Sequence, residues 1–210
     1  LCYRHRHHSG GPSRGQPTGT GSCDVTLEVG KQVADFRVAS TAGDFSLSGA
    51  RGKAVVLYFY PKDNTPGCTN ESADFRDLHP QFESAGAIVA GLSRDSLRSH
   101  EGFRSKLDLP FPLLSDADEA VCTQFGVIKM KNMYGKQVRG IERSTFVIDA
   151  KGVLVREWRG VKVPGHAEEL LDDPGDIGRG RQDGLNPAAR DHAKLVEGVQ
   201  VKRVGGRHTN

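Results

Sequence analysis

The run Ala54-Val-Val-Leu-Tyr-Phe-Tyr60 decides the fold. It carries no charge and no polar alternation, which is the pattern of a strand buried on both faces. The chain leaves this strand through Pro61 and then reaches Thr65-Pro-Gly-Cys68, which has the composition of a helix start. The stretch therefore predicts a buried strand that passes directly into a helix.

On both sides of this stretch, hydrophobic patterns predict further elements between about Val25 and Leu171. They predict a helix from Pro66 to about Ser84, a strand Ala87–Ser93, a helix Ser96–Leu107 with Ser96 as its N-cap, a short helix Asp118–Phe125, a hairpin of strands Ser144–Asp149 and Val153–Trp158, and a helix from His166 to Asp172. This order is typical of an α/β domain with a mixed sheet. We place the domain at residues 24–172.

The two ends of the chain differ from this domain in composition. Residues 1–23 are rich in Gly, Ser, Pro, His and Arg and contain no acidic residue, whereas residues 173–210 are rich in Gly, Asp and Arg. Such segments bury too little apolar surface to offset their ordering entropy, so we expect a disordered N-terminal tail and a poorly structured C-terminal extension. We interpret His5, His7 and His8 as part of a flexible polar tail rather than as metal ligands.

The bulk composition excludes several classes of protein. The net charge is only +3 and the charges are mixed, so nothing indicates a nucleic-acid or membrane partner. No apolar run approaches the roughly 20 residues that span a bilayer. The four cysteines form no C-x-x-C pair, which argues against a zinc ribbon or a dithiol motif. We expect a cytoplasmic monomer with reduced thiols, no metal and no cofactor, although the Arg- and Ser-rich tail leaves organellar targeting open.

Cys68 is the candidate reactive residue. With Thr65 as N-cap and Pro66 at the first helical position, Cys68 lies in the first turn of its helix. Unpaired backbone N–H groups and the positive end of the helix dipole then face its sulfur, and both favour the thiolate. The Thr65 hydroxyl lies on the same turn and is placed to donate to the sulfur or to a substrate oxygen. The alternative is a buried, inert cysteine.

The chain resembles the peroxiredoxins, in the bacterioferritin comigratory protein or peroxiredoxin Q branch. The resemblance covers about residues 25–171, and Pro61-x-x-x-Thr65-x-x-Cys68 matches the family's active-site signature. The motifs that carry it are Tyr58-Phe-Tyr-Pro-Lys-Asp-Asn-Thr-Pro-Gly-Cys-Thr69, Glu71, Phe75-Arg-Asp77, Ser93-Arg-Asp-Ser96, Ser99-His100, Leu113-Leu-Ser-Asp116, Tyr134-Gly-Lys136, Gly140-Ile-Glu-Arg-Ser-Thr-Phe-Val-Ile-Asp149 and Val161-Lys-Val-Pro-Gly-His166.

The resemblance implies a thioredoxin-like fold, with a central mixed β-sheet flanked by helices, and an antioxidant thiol peroxidase. By it, Cys68 is the peroxidatic cysteine, which reduces hydrogen peroxide or an organic hydroperoxide and becomes a sulfenic acid. Thr65 and Arg143 are the other catalytic residues. The substrate-binding residues are Pro61, Pro66, Gly67 and Glu71, of which Glu71 either supports Arg143 or only improves the helix start.

The sequence departs from the family because it lacks a resolving cysteine at the positions where many relatives carry one. Many relatives carry a resolving cysteine at the position of Ala73, or on the next helix near residues 103–106, and this chain has none at either place. Cys122 is a possible resolving residue, but a small buried packing residue is the favoured interpretation. Cys2 and Cys23 lie on the tail. We therefore expect a one-Cys mechanism in which thioredoxin, glutaredoxin or a small thiol reduces Cys68.

Two other functions are open at this stage. The missing resolving cysteine would suit a peroxide sensor of the same fold, which reacts once and does not turn over. A Cys–His hydrolase would need His100 or His166 against Cys68. We interpret both histidines as capping or surface residues.

Overall fold

The computed structural model of the protein describes residues 27–133 and 136–172, except for the side chains of residues 131–136. Within them the elements are β1 (Arg37–Ser40), β2 (Gly43–Ser46), a 3-10 turn (Ser48–Ala50), β3 (Ala54–Phe59), α1 (Pro66–Asp77), α2 (His79–Ser84), β4 (Ala87–Ser93), α3 (Leu97–Leu107), β5 (Leu113–Ser115), α4 (Ala120–Gln124), β6 (Ile128–Met133), β7 (Lys136–Ile141), β8 (Ser144–Ile148), β9 (Leu154–Arg159) and α5 (His166–Asp172). The predicted tails, with Cys2, Cys23 and the three N-terminal histidines, lie outside the described residues, and the domain boundaries stay a prediction.

A seven-stranded mixed sheet in the order β2-β1-β5-β4-β3-β8-β9 forms the centre of the fold. Strand β3 pairs with β4 in parallel and with β8 in antiparallel orientation. Every residue of β3 is buried, as its apolar run predicts. Helices flank this mixed sheet, so the predicted thioredoxin-like α/β fold is confirmed.

Alternate side chains of β3 enter two separate core layers. Val55, Leu57 and Phe59 belong to one layer, together with Cys122 of α4. Val56 and Tyr58 belong to the other layer, together with Cys68 of α1. The two described cysteines therefore lie on opposite sides of the sheet.

Helix α1 is held against the sheet by Tyr58. Its ring stacks on Phe75 of α1 at a centroid distance of 4.6 Å, and its hydroxyl lies 3.0 Å from the Ser72 hydroxyl. Gly91 on the neighbouring strand makes room for this ring, because a Cβ there would lie 2.6 Å from the Tyr58 ring. The close approach fixes the helix that carries Cys68.

The single helix predicted for residues 66–84 is wrong. The structure has two helices, α1 and α2, separated at Leu78. Pro80 accounts for the break, because a proline within a helix has no N–H to donate and its ring clashes with the preceding turn. The other predicted elements are present with ends shifted by up to two residues, and Ser96 caps α3 by accepting a hydrogen bond from Ser99 N at 3.4 Å.

Among residues 27–133 and 136–172, no helix has both the length and the apolar character that crossing a membrane requires. Within the same ranges, no group of three or more His, Cys, Asp and Glu side chains is placed to hold a metal ion.

Candidate active site

The first turn of α1 presents unpaired backbone donors beside Cys68. Thr65 is the N-cap residue with extended φ and ψ of −90° and 148°, and Pro66 occupies the first helical position. The first bond of the helix runs from Thr69 N to Thr65 O at 2.9 Å. The N–H groups of Gly67 and Cys68 come before that bond and remain available to a ligand.

The Thr65 side chain has a different partner from the one expected. Its hydroxyl donates to the carbonyl of Lys62 at 3.0 Å and makes no capping bond to the helix. This bond closes the turn between β3 and α1. The hydroxyl oxygen keeps its lone pairs, but its proton points into the loop in this conformation.

Arg143 reaches Cys68 from the neighbouring strand. Because β8 runs antiparallel to β3, with Ser144 opposite Phe59, the residue before β8 lies beside the end of β3. From there Arg143 Nη2 lies 3.3 Å from Cys68 Sγ. Cys68 is only 1% exposed, so the guanidinium faces the sulfur with little competing water.

Glu71 holds the other side of the Arg143 guanidinium. Its Oε2 accepts from Arg143 Nη1 in a close ion pair, and Glu71 is 2% exposed. Burial raises the pKa of Glu71 to about 7, although Arg143 opposes the rise. Among the described residues, none donates to the other carboxylate oxygen, Oε1. Burial alone would lower the pKa of Arg143, but Glu71 and Cys68 raise it, so this side chain stays cationic.

Gly67 leaves space for the Arg143 side chain. A Cβ at this position would lie 3.3 Å from Arg143 Nη2, which is closer than ordinary contact. Pro61 lines a depression of about 400 Å³ together with Lys62, Arg94, Asp95, Ala117 and Glu119. The structure thus brings together Cys68, Gly67, Glu71 and Arg143, while Pro61 borders a separate depression.

Cys122 is fully buried in the core layer on the far side of the sheet from Cys68. Burial, followed by a hydrogen bond with Asp116, raises the pKa of its thiol well above the ordinary value. Asp116 also accepts from the N–H groups of Val121 and Cys122, at 3.1 and 2.7 Å. The thiol is therefore protonated and is separated from Cys68 by the sheet.

The interpretation of His100 and His166 as capping or surface residues is wrong. His100 is 0% exposed and His166 is 4% exposed. Each ring is hydrogen-bonded inside the protein. His100 Nδ1 lies 2.9 Å from Asp63 Oδ2 and its Nε2 lies 3.1 Å from Leu114 O, while His166 Nε2 lies 2.8 Å from Thr145 Oγ1. These partners account for the rings without Cys68, so the geometry gives the hydrolase alternative no support.

The sequence interpretation missed one group beside this site. The buried side chains of Tyr60 and Asp63 join His100 in a polar network that holds the loop before α1. A signal was present, because Asp63 stands next to the apolar strand and five residues before Cys68. A lone acidic residue in a polar loop nevertheless reads as solvent-exposed.

The chain is similar to known proteins in sequence and in structure. A sequence model described as the AhpC/TSA family matches residues 29–157. The chain is 48% identical over 148 residues to a putative peroxiredoxin bcp of Coxiella burnetii, covering 70% of this chain and 98% of that protein. A solved structure of Xanthomonas campestris peroxiredoxin Q is similar with a TM-score of 0.64 and 51% identity, covering 67% of this chain and 89% of that one.

A second similar structure is that of the Xanthomonas campestris bacterioferritin comigratory protein, which has alkyl peroxide reduction activity. The similarity has a TM-score of 0.64 and 50% identity, and it covers 67% of this chain and 90% of that one.

Proposed function

Because the chain belongs to the AhpC/TSA family and is a thiol-dependent peroxidase, an oxidoreductase, we propose that Cys68 is the residue that reduces the peroxide. The Cys68 thiolate attacks the terminal peroxide oxygen. The S–O bond forms as the O–O bond breaks, and the leaving oxygen takes a proton and departs as water or an alcohol. The substrates are hydrogen peroxide and organic hydroperoxides. Alkyl hydroperoxides follow from the activity described for the Xanthomonas campestris relative.

The observation that carries this assignment is the contact of Arg143 Nη2 with Cys68 Sγ at 3.3 Å. Negative charge moves from the sulfur to the leaving oxygen during the reaction, and a fixed cation beside the sulfur stabilises it at both positions. The N–H groups of Gly67 and Cys68 lie in the first turn of α1, before its first hydrogen bond, and serve as further donors to the peroxide. Glu71 fixes the guanidinium by its ion pair.

The remaining site residues shape the approach to the sulfur. Pro66 starts α1 without an N–H, and Pro61 begins the loop that precedes it. Thr65 becomes a donor to the peroxide when its hydroxyl rotates away from the Lys62 carbonyl. Rotation about the C–O bond of the side chain suffices, because a hydroxyl proton can turn towards a different acceptor.

The second half of the cycle uses a thiol from outside the chain. Cys122 lies across the sheet from Cys68, and Ala73 stands at the position where many relatives carry a resolving cysteine. An external thiol, R–SH, attacks the sulfenic acid, forms a mixed disulfide and releases water. A second thiol, either another R–SH or the second cysteine of a dithiol protein, then attacks the mixed disulfide, so that Cys68 leaves as a thiol and the reductant leaves as a disulfide. Thioredoxin, glutaredoxin or a small thiol fills this role.

Several features of the proposal concern the protein as a whole. We propose a monomer with a domain at residues 24–172, a cytoplasmic location, no metal or cofactor and no nucleic-acid or membrane partner. Size-exclusion chromatography coupled to light scattering tests the monomer. The names of the relatives support a turning-over enzyme rather than the sensor alternative.

Single-turnover oxidation tests the assignment. One equivalent of peroxide is expected to convert Cys68 to a sulfenic acid, a gain of one oxygen atom in the mass of the intact protein. Trapping of the sulfenic acid, followed by mass spectrometry of the peptide that carries the adduct, places the modification at Cys68. Peroxide consumption with thioredoxin, glutaredoxin or a small thiol is expected to vanish in Cys68→Ser and to persist in Cys122→Ser. Loss of turnover in Cys122→Ser, with the fold intact, would falsify the one-Cys cycle.

A further inference from the structure

The loop between β3 and α1 is tied to α3 by a buried polar network around Asp63. The Asp63 carboxylate accepts from the Tyr60 hydroxyl at 2.8 Å and from the Ser99 hydroxyl at 2.7 Å. His100 Nδ1 lies 2.9 Å from one carboxylate oxygen and 3.1 Å from the other. Asp63 N also donates to Asp95 Oδ2 at 2.9 Å.

Both ring nitrogens of His100 face acceptors. Nδ1 faces the Asp63 carboxylate and Nε2 lies 3.1 Å from the carbonyl oxygen of Leu114 on β5. Burial opposes the ionisation of Asp63, but hydrogen bonds from His100 and Ser99 outweigh it and lower the pKa of this carboxyl. Asp63 and His100 therefore form a buried, hydrogen-bonded pair that joins the loop to α3 and β5.

This buried pair lies close to the reactive turn. Only Asn64 and Thr65 separate Asp63 from the first residue of α1. Asn64 adopts a left-handed φ of 57°, and its side chain accepts from Lys106 of α3 at 3.3 Å. The start of α1 is thus fixed relative to α3 by two neighbouring loop residues. A shift of Asp63 would move the first turn away from Arg143.

We propose that His100 is a positioning residue of the peroxidatic site, which holds Asp63 and so keeps the first turn of α1 closed on Arg143. The inference rests on the proposed role of Cys68. The closed turn serves peroxide attack, because the sulfur needs Arg143 and the N–H groups of Gly67 and Cys68 in place. The same closure shields the reduced sulfur from bulkier alkylating reagents, because Cys68 is 1% exposed. Loosening the Asp63–His100 pair therefore slows oxidation of Cys68 by peroxide and speeds its alkylation.

Two substitutions of His100 separate its two hydrogen bonds. The amide nitrogen of His100→Asn falls near the Nδ1 position and retains a donor to Asp63. The amide nitrogen of His100→Gln falls near Nε2 and retains a donor to Leu114 O. We expect His100→Gln to lower the rate constant for Cys68 oxidation by hydrogen peroxide about tenfold or more. His100→Asn is expected to retain most of the rate.

Alkylation provides the readout that a merely structural role would not predict. In the reduced protein, iodoacetamide is expected to modify Cys68 faster in His100→Gln than in the wild type, as measured by mass spectrometry of the Cys68 peptide. Cys122, buried across the sheet, serves as an internal control whose modification rate stays unchanged. On an Asp63→Asn background, adding His100→Gln is expected to change either rate by less than about twofold, because coupled residues are not additive.

The controls distinguish this inference from the proposed function. His79→Asn replaces a histidine of α2 outside the network and is expected to behave as the wild type. If the wild type itself does not oxidise at Cys68, the proposed function fails. If the wild type reacts and a folded His100→Gln reacts equally fast, the inference is overturned.

Ser99→Ala tests the inference if His100→Gln does not fold. It removes one hydrogen-bond donor to Asp63 without creating a large cavity, and it is expected to slow oxidation and speed alkylation of Cys68 to a smaller extent. Wild-type rates for both reactions in Ser99→Ala would then overturn the inference.

Discussion

The guanidinium of Arg143 lies 3.3 Å from the sulfur of Cys68, although the two residues are 75 positions apart in the chain. The antiparallel pairing of β3 with β8 produces this contact, because it sets the beginning of β8 beside the end of β3. The site thus depends on sheet register. A one-residue slip of β8 would turn Arg143 to the opposite face.

Arg143→Lys is expected to lower kcat/KM for peroxide by about a hundredfold, the usual cost of losing a donor to the developing oxyanion. Lysine keeps the positive charge but lacks the planar fork that binds Glu71 and Cys68 together. Initial rates of peroxide consumption at saturating thiol measure the effect. Arg98→Lys, an exposed exchange on α3, is the matched control. Wild-type kcat/KM in Arg143→Lys would show that the fork is not needed.

Gly67→Ala is expected to reduce the oxidation rate of Cys68 with little loss of stability. The added Cβ lies 3.3 Å from Arg143 Nη2, so the guanidinium must move away from the sulfur. Stopped-flow oxidation and thermal unfolding measure the two quantities. Gly102→Ala on α3 is the control, since a Cβ there meets nothing within 4 Å and the change should stabilise the helix by about 0.5–1 kcal/mol. Equal oxidation rates in the two variants would contradict the proposed clash.

Much of the fold could be predicted because its signals are local. The apolar run of β3 and the Ser96 cap of α3 are each readable within a few residues. The strands β1 and β2 have only four residues each and give little periodicity, so they were not predicted. The hairpin of β6 and β7 was not predicted either, because its apolar residues alternate with polar ones only over short stretches. The break at Leu78 was missed because the apolar pattern continues across Pro80 into α2.

The site could be predicted only in part. The position of Cys68 in a helix start followed from Thr65 and Pro66, which are its near neighbours. The contact with Arg143 came from a family resemblance, since no local pattern joins two such distant residues. The burial of His100 was missed, because its partners Asp63 and Leu114 are 37 and 14 residues away and only the folded sheet assembles them.

Cys122→Ala is expected to leave thiol-dependent turnover unchanged and to lower the free energy of unfolding by about 1 kcal/mol. The thiol is fully buried in the core layer that faces away from Cys68, so its loss creates a small cavity and touches no reactive group. Turnover with thioredoxin and urea unfolding measure the two effects. A cycle that stalls at the sulfenic acid in Cys122→Ala would instead assign this residue a resolving role.

The Glu71 carboxyl is expected to make stability depend on pH. Its pKa is about 7 in the folded protein, against an ordinary value of 4.5, because burial disfavours the charged form. Below pH 4.5 the carboxyl is protonated in both the folded and the unfolded state, and its full contribution to the free energy of unfolding is present. As the pH rises towards 7, the unfolded chain releases the proton first, so the folded state loses stability. The loss amounts to about 3 kcal/mol when it is complete above pH 7.

The Glu71→Gln variant isolates this contribution, because glutamine has nearly the same shape and does not titrate. Urea unfolding of the reduced wild type and of the variant at pH 4.5, 6, 7 and 8 gives the difference between their free energies of unfolding. As the pH rises, we expect the free energy of unfolding of the wild type to fall relative to that of Glu71→Gln, and the difference to level off above pH 7. Glu101→Gln, the same exchange at an exposed carboxyl of α3, is the control for general charge effects. A difference that is constant with pH would mean that Arg143 keeps Glu71 ionised throughout and that the ion pair, rather than burial, sets its charge.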